Sequence, residues 1–155
     1  MPRTETTAKM TVTVTQSSTV NGKNQGSTNM LSIPAIANVS KRIVNVPASE
    51  VEIIAMSTAV GSGTFITADA LYIRITNLDG ANHVTLTFKS VGNHEFAVKL
   101  DKGQSFIYNG DLADGAAATM DASASALSLA LADFVNVTAI ADTAACDLEV
   151  FVACD

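Results

Sequence analysis

The sequence predicts an all-β protein, an antiparallel β-sandwich of jelly-roll-like or Greek key type, with an extended N-terminal arm. Three observations carry that expectation. Leu71 to Tyr108 is a series of short alternating apolar runs broken by turn-forming residues. Phe134–Ile140 and Cys146–Val152 repeat the alternation near the C-terminus. Met10–Thr15 alternates as well, but a polar stretch from Gln16 to Asn29 separates it from the next apolar residues.

From the N-terminus, residues 1–29 read as an arm and polar connection, and residues 30–155 as a single sandwich domain. Asn21-Gly22 and Gly26 allow either a hairpin tip or a flexible connection. The strand at Met10–Thr15 then has two possible places, in its own sandwich or on the sheet edge of a neighbouring subunit. Met30 to Ala37, interrupted by Pro34, suits an edge strand or an extended connection. Ile43, Val44 and Val46 form the next run, ended by Pro47, and Val51–Met56 precedes a Gly61-Ser62-Gly63 loop.

In the central segment Leu71, Ile73 and Ile75 share one face, and so do Val84, Leu86 and Phe88. The turns Asp79-Gly80-Ala81-Asn82, Ser90-Val91-Gly92-Asn93 and Asp101-Lys102-Gly103 join these runs to Phe96–Leu100 and Gln104–Tyr108. The expectation is a β-meander in which each strand pairs with the next. Asn109-Gly110-Asp111 marks a further turn. Residues 113–132, rich in Ala, Ser and Asp, read as a surface excursion holding one short helix or an added strand. Phe134–Ile140 and Cys146–Val152 then close the domain as a hairpin.

Composition narrows the class of function. Charged residues make up 15% of the 155, against about 25% in a typical domain, while 48% are hydrophobic. Much of the surface must therefore be Thr, Ser, Asn and Ala, which are inexpensive to desolvate against a partner. An assembly subunit is expected. The net charge of −6 with scattered Lys and Arg disfavours a phosphate-tracking surface, so no nucleic acid is expected as a partner, and Lys41-Arg42 reads as a solvated strand entrance. No apolar run is long enough to span a bilayer and no secretory leader is recognisable, so synthesis in a cytoplasm without membrane association is the expectation.

No residue pattern points to catalysis or to a cofactor or metal, and none of the three is expected. Only His83 and His94 are available for metal or acid–base work, and pairing 83–89 with 94–100 sets them opposite Leu100 and Lys89, at the two ends of a hairpin. No Gly-x-Ser-x-Gly elbow occurs, and Gly61-Ser62-Gly63-Thr64 lacks the Lys of a phosphate loop. Asn109, Asp111 and Asp114-Gly115 offer oxygen atoms for Ca²⁺ but miss the EF-hand spacing, so a solvated turn is expected. Asn38-Val39-Ser40 and Asn136-Val137-Thr138 match the glycosylation sequon by chance. Cys146 and Cys154 share one strand face about 27 Å apart at ~3.4 Å per residue, too far to bridge each other.

The segments LYIRITNLDGANHVTLTF, FAVKLDKGQSFIYNGDL and VNVTAIADTAACDLEVFVA, taken in order, resemble small virion structural proteins of tailed bacteriophages, cyanophages especially. The likeness spans about Arg42 to Ala153. It implies a non-enzymatic subunit on the head exterior of the virion, a decoration or cement protein that binds the major capsid protein or other virion proteins and forms a homo-oligomer, with a trimer expected. The contact segments would be the arm and the Ala-rich excursion, with Thr11, Val12, Thr13, Val14, Leu127 and Leu129 as candidate interface residues. The alternative is a tail, neck or fibre component, including a glycan- or receptor-binding module. Against a glycan site stand the absence of Trp and the presence of only Tyr72 and Tyr108 as tyrosines.

Overall fold

A computed structural model of the chain describes residues 6–61, 63–92, 94–108 and 132–155. The Asn109-Gly110-Asp111 turn, most of the 113–132 excursion, and Leu127 and Leu129 lie outside the described residues. The chain divides into two compact units, Met1–Asn38 with Asp155, and Val39–Cys154.

The first unit is a long two-stranded hairpin. Strand β1 (Ala8–Gln16) runs antiparallel to β4 (Ser27–Ile36), and the short strands β2 (Thr19–Val20) and β3 (Lys23–Asn24) form its tip. Asn21 and Gly22 have φ of 51° and 75°, the two consecutive left-handed residues of a type I′ turn, so the polar stretch is a hairpin tip. The sequence placed the end of the arm at residue 29. Pairing carries this unit through β4 to Asn38, because Met30–Ile36 is the partner of β1 and not the first strand of the sandwich. Pro34, which cannot donate to a ladder, sits in a bulge between the Met10–Ile33 and Ala8–Ile36 pairs. Ala35, at φ 61°, turns the chain there.

The second unit is a sandwich. Its strands are β5 (Asn38–Val46), β6 (Val51–Ser57), β7 (Phe65–Ile66), β8 (Ala70–Asn77), β9 (Val84–Ser90), β10 (Glu95–Leu100), β11 (Ser105–Tyr108), β12 (Phe134–Ala141) and β13 (Cys146–Cys154). One sheet has the order β10-β9-β12-β6-β7 and the other β11-β8-β13-β5. Setting aside β7, a two-residue parallel edge on β6, this is the strand order of a jelly roll. The described residues contain no helix.

Two expectations about pairing are corrected. The segment Leu71–Tyr108 is not a meander, because β8 lies between β11 and β13 in one sheet while β9 lies between β10 and β12 in the other. The C-terminal strands are not a hairpin either, since β12 joins the sheet of β9 and β13 that of β8. The cause is burial. Ile73 and Ile75 on β8 and Val84, Leu86 and Phe88 on β9 are all at most 1% exposed. Side by side in one sheet they would present their apolar faces in the same direction and still need a cover. Placed in opposite sheets, they cover each other across the roughly 10 Å between sheets. Among the described strands of the sandwich, only β9 and β10 pair as consecutive antiparallel strands.

The register of that hairpin also differs from expectation by one residue. Glu95 stands opposite Lys89 and Leu100 opposite Val84, with His94 accepting from the Ser90 backbone N–H at 2.9 Å. This register pairs Phe96 with Phe88 and Val98 with Leu86, whereas a one-residue slip would put Thr87 against Phe96 on the wrong face. Phe88 stacks on Phe96 with ring centroids 4.8 Å apart, and Phe106, Phe134 and Tyr108 complete an aromatic cluster.

Lys41-Arg42 is not simply a solvated entrance. Arg42, on the edge strand β5, donates to the Ile53 carbonyl of β6 in the opposing sheet and so ties the sandwich rim. Lys41 pairs with Glu149 at 3.4 Å on the outward face of β13. Cys146 and Cys154 are buried and not bridged to each other, and burial pushes the Cys146 thiol up.

Four connections that change sheets meet at one end of the sandwich, knitted around Asn77, which is 0% exposed. Its Nδ2 donates to the carbonyls of Asn82 at 2.9 Å and Leu100 at 3.1 Å, and its Oδ1 accepts from the Asp79 N–H at 3.0 Å. Its own N–H reaches the Gln104 carbonyl, and its carbonyl accepts from Gly103 N–H. Leu78 N–H donates to the Asp147 carbonyl and Asp142 N–H to that of His83, binding the β12–β13 connection to the β8–β9 connection. Asn77→Leu should therefore lower stability by about 3 kcal/mol, since it strands two carbonyls and an amide without partners. The shift of the urea midpoint at unchanged m-value is the measurement.

The turns at this end also set a pH dependence. Asp79 accepts from the backbone N–H groups of Asn82 and Ala81, which hold its carboxyl below the usual range, and Asp101 is held down by the Lys102 N–H and then by Lys99. A carboxyl whose pKa is lower folded than unfolded stabilises the fold at neutral pH, and that contribution disappears as pH falls through the depressed value. Stability should decline between about pH 5 and pH 2. Asp79→Asn with Asp101→Asn keeps an acceptor oxygen in each turn and should flatten the decline, measured as denaturation midpoint against pH.

Candidate assembly interface

In β1 and β4, residues directly opposite each other share a face. Met10 pairs with Ile33, Val12 with Leu31 and Val14 with Asn29, giving one face an apolar stripe. Thr11 pairs with Ser32, Thr13 with Met30 and Thr15 with Thr28, giving the other face a hydroxyl ladder broken by one methionine. The Thr15 and Thr28 hydroxyls lie 3.4 Å apart. Exposure rises along the hairpin, from 7% at Ile33 to 36% at Leu31, 42% at Val14 and 53% at Val20, with Met30 at 75%. Among the described residues, no other strand pairs with β1 or β4.

The structure thus brings four of the anticipated interface residues onto one strand but divides them between its faces. Val12 and Val14 belong to the apolar stripe, and Thr11 and Thr13 to the hydroxyl ladder. Sequence reasoning missed Met10, Leu31 and Ile33 as companions of the valines, and Met30 as the exposed partner of Thr13 on the other face. The available signal was Asn21-Gly22, which as an I′ turn makes residues before and after it pair in register.

The tip is built tightly. Gly26 N–H donates to Asn24 Oδ1 at 2.8 Å, and a Cβ on Gly26 would sit 2.3 Å from the Gln16 carbonyl oxygen. That contact is with backbone, so no rotamer change relieves it.

The groups examined in sequence for chemistry stay apart. His83 Nδ1 lies 3.6 Å from Asp142 Oδ2, while His94 is at the far end of the β9–β10 hairpin. Among the described residues, no group of three His, Cys, Asp or Glu side chains is placed to hold a metal ion. On the outer face of the β10-β9-β12-β6 sheet, Glu50 accepts from Lys89 at 2.6 Å and Thr138 at 2.7 Å, and Lys89 above all holds the Glu50 carboxyl down. On the other sheet, Arg74 lies over the Phe151 ring at 5.6 Å and pairs with Glu149 at 2.5 Å. All six phenylalanines and both tyrosines are buried or half-buried.

No protein-family model matches the chain. No curated protein matches it either. Among solved structures, a chain from a structure titled "Bacillus endospore appendages form a novel family of disulfide-linked pili" is 17% identical, with a TM-score of 0.42 over 75% of this chain and 83% of that one. The strand order itself remains the ground for the fold.

Gly26→Ala should open the hairpin tip without touching the sandwich. Hydrogen exchange should show lost protection at Thr19–Asn24, with amides of β8, β9, β12 and β13 protected as in the parent chain.

Proposed function

We propose that this chain is a non-enzymatic structural subunit of a tailed-bacteriophage virion, made in the host cytoplasm and bound to the outer surface of the head as a decoration or cement protein. One observation carries the reading. A two-stranded hairpin with a half-uncovered apolar stripe is attached in sequence to a sandwich whose own core is filled. A two-stranded ribbon is marginal in water by itself and gains stability when a partner covers its apolar face. The sandwich supplies the complementary property, stiffness: a continuous cluster of buried apolar side chains and both sheets tied at one end by the Asn77 network. A rigid body with an adhesive extension suits a bridge between neighbouring major capsid protein subunits, where each added interface lowers the free energy of the closed shell. The sequence resemblance to phage virion proteins supplies the setting.

A tail, neck or fibre placement relies on the same physics and differs in copy number and symmetry. Within that alternative, a glycan-binding tip is the less supported form, because sugars stack on exposed rings and the rings here are turned inward or half-covered.

Electron microscopy of particles carrying gold-labelled protein tests the placement. Many copies distributed over the head are expected; label confined to one vertex or to the tail would replace decoration by the alternative. Removing residues 1–38 should abolish particle binding while the remaining chain keeps its β circular dichroism and a cooperative denaturation transition. Binding undiminished by that truncation would refute the role of the hairpin.

A further inference from the structure

We propose that the apolar stripe of the N-terminal hairpin is covered by a second copy of this chain, with Met10, Val12, Val14 and Leu31 closing on the acidic body of a neighbour. This names a partner for the hairpin and rests on the reading of the chain as an assembly subunit.

Three observations lead there. The first is the gradient of exposure: Ile33 and Ile36 at the base are 7% and 6% exposed, but Leu31, Val14, Val20 and Met30 are increasingly open toward the tip and on the reverse face. A stripe that continues into solvent along a paired, ordered ribbon is an incomplete core, not scattered surface apolarity.

The second is charge. Residues 6–38 contain Lys9 and Lys23 and no acidic side chain, whereas residues 39–155 contain six basic and fourteen acidic side chains. Two identical acidic bodies repel each other, and two cationic hairpins do the same. Hairpin on body is the attractive combination that two copies can make, and long-range attraction of this kind selects the approach while apolar burial holds it.

The third is size. The ribbon from Ala8 to Ile36 presents about half of its residues on the stripe face, so one hairpin falls short of the roughly 20–30 residues per side of a standard interface and reciprocal exchange of two hairpins reaches it. The hydroxyl face opposite the stripe is cheaper to desolvate where the Thr15 and Thr28 hydroxyls already bond to each other. A hairpin laid on a neighbour therefore leaves no ionised group buried along β1 or β4 between Met10 and Ile33.

The test uses full-length protein with a photo-crosslinking amino acid in place of Val14, mixed with heavy-isotope-labelled chain of natural sequence. Crosslinks joining the hairpin of one isotope to residues 39–155 of the other are expected. Crosslinks confined to a single chain, or a full-length protein that sediments as a monomer throughout, overturn the proposal. Val14→Asp with Leu31→Asp should weaken self-association at least about tenfold, with the denaturation transition of the body unchanged. Lys9→Glu with Lys23→Glu, which leaves the stripe intact, should also weaken it and should reduce its sensitivity to salt. Self-association unchanged in both variants overturns the proposal. A chain that decorates particles yet is monomeric, or whose Val14 crosslinks on the particle into a different virion protein, defeats this inference and leaves the virion role standing. A chain that self-associates through the hairpin but is absent from particles defeats the virion role and leaves this inference standing.

Discussion

The fold turns on one requirement: a chain that leaves one sheet to enter the other must satisfy its backbone groups during the crossing. Asn77 meets that requirement at the point where the demand is greatest. It is fully buried at the end of β8, and its side-chain amide serves two carbonyls and one amide from neighbouring connections. Its main chain meanwhile engages the β10–β11 turn through Gln104 and Gly103. A buried amide so fully engaged is a specifying element, because any other pairing of β8 would leave several polar groups unsatisfied in an apolar setting. The aspartates around it, Asp79 and Asp101, work the same way at the surface, each holding the N–H groups of its own turn. The far ends of β9 and β10 are held by apolar means, with Phe88, Phe96, Phe106, Phe134 and Tyr108 packed ring against ring.

The N-terminal hairpin follows a different economy. Its pairing is complete and its turn chemistry is strong, with Asn21-Gly22 at the tip and Gly26 in close approach to Gln16. It lacks a second layer. A ribbon of two strands has one face too many for its apolar content, and the alternation of Met10, Val12 and Val14 against Leu31 and Ile33 has meaning only if something lies on it. The charge asymmetry between hairpin and body points in the same direction. A decoration subunit, as proposed, would join these two kinds of stability: one internal to the sandwich, the other completed on assembly.

The outward faces of the two sheets complement this picture. One is a polar lattice in which Lys89 and Thr138 both donate to Glu50 and Asn136 donates to Glu52 at 2.8 Å. The other carries the Arg74–Phe151 and Arg74–Glu149 contacts, with Tyr72 set edge-on to Phe151 and its hydroxyl pKa raised by burial. Partly exposed ion pairs of this kind contribute modestly to stability and discourage indiscriminate pairing of sheet faces.

How far the sequence reaches can be judged strand by strand. Period-two alternation identified Ile73 and Ile75, Val84, Leu86 and Phe88, and Phe96 to Leu100 as strands and assigned their inward faces, because side-chain alternation is a local property of extended backbone. It located the Asp79-Gly80 and Asp101-Lys102-Gly103 turns for an equally local reason, their short-range bonding to backbone. It did not say which strands pair. A turn looks much the same whether it folds a strand onto its neighbour or carries it across to the opposing sheet, so a meander and a jelly roll share one pattern. The same limit applies to the candidate interface: Val12 and Val14 were legible, but Leu31 and Ile33 joined their face only through the β1–β4 register, and Arg42 became a rim tie only when β5 and β6 faced each other. Strand positions, inward faces and the all-β class were thus determined by the sequence itself, through alternation and turn chemistry. Partners, register and the jelly-roll order were decided by tertiary structure, because they depend on covering apolar faces and satisfying buried polar groups across the whole molecule.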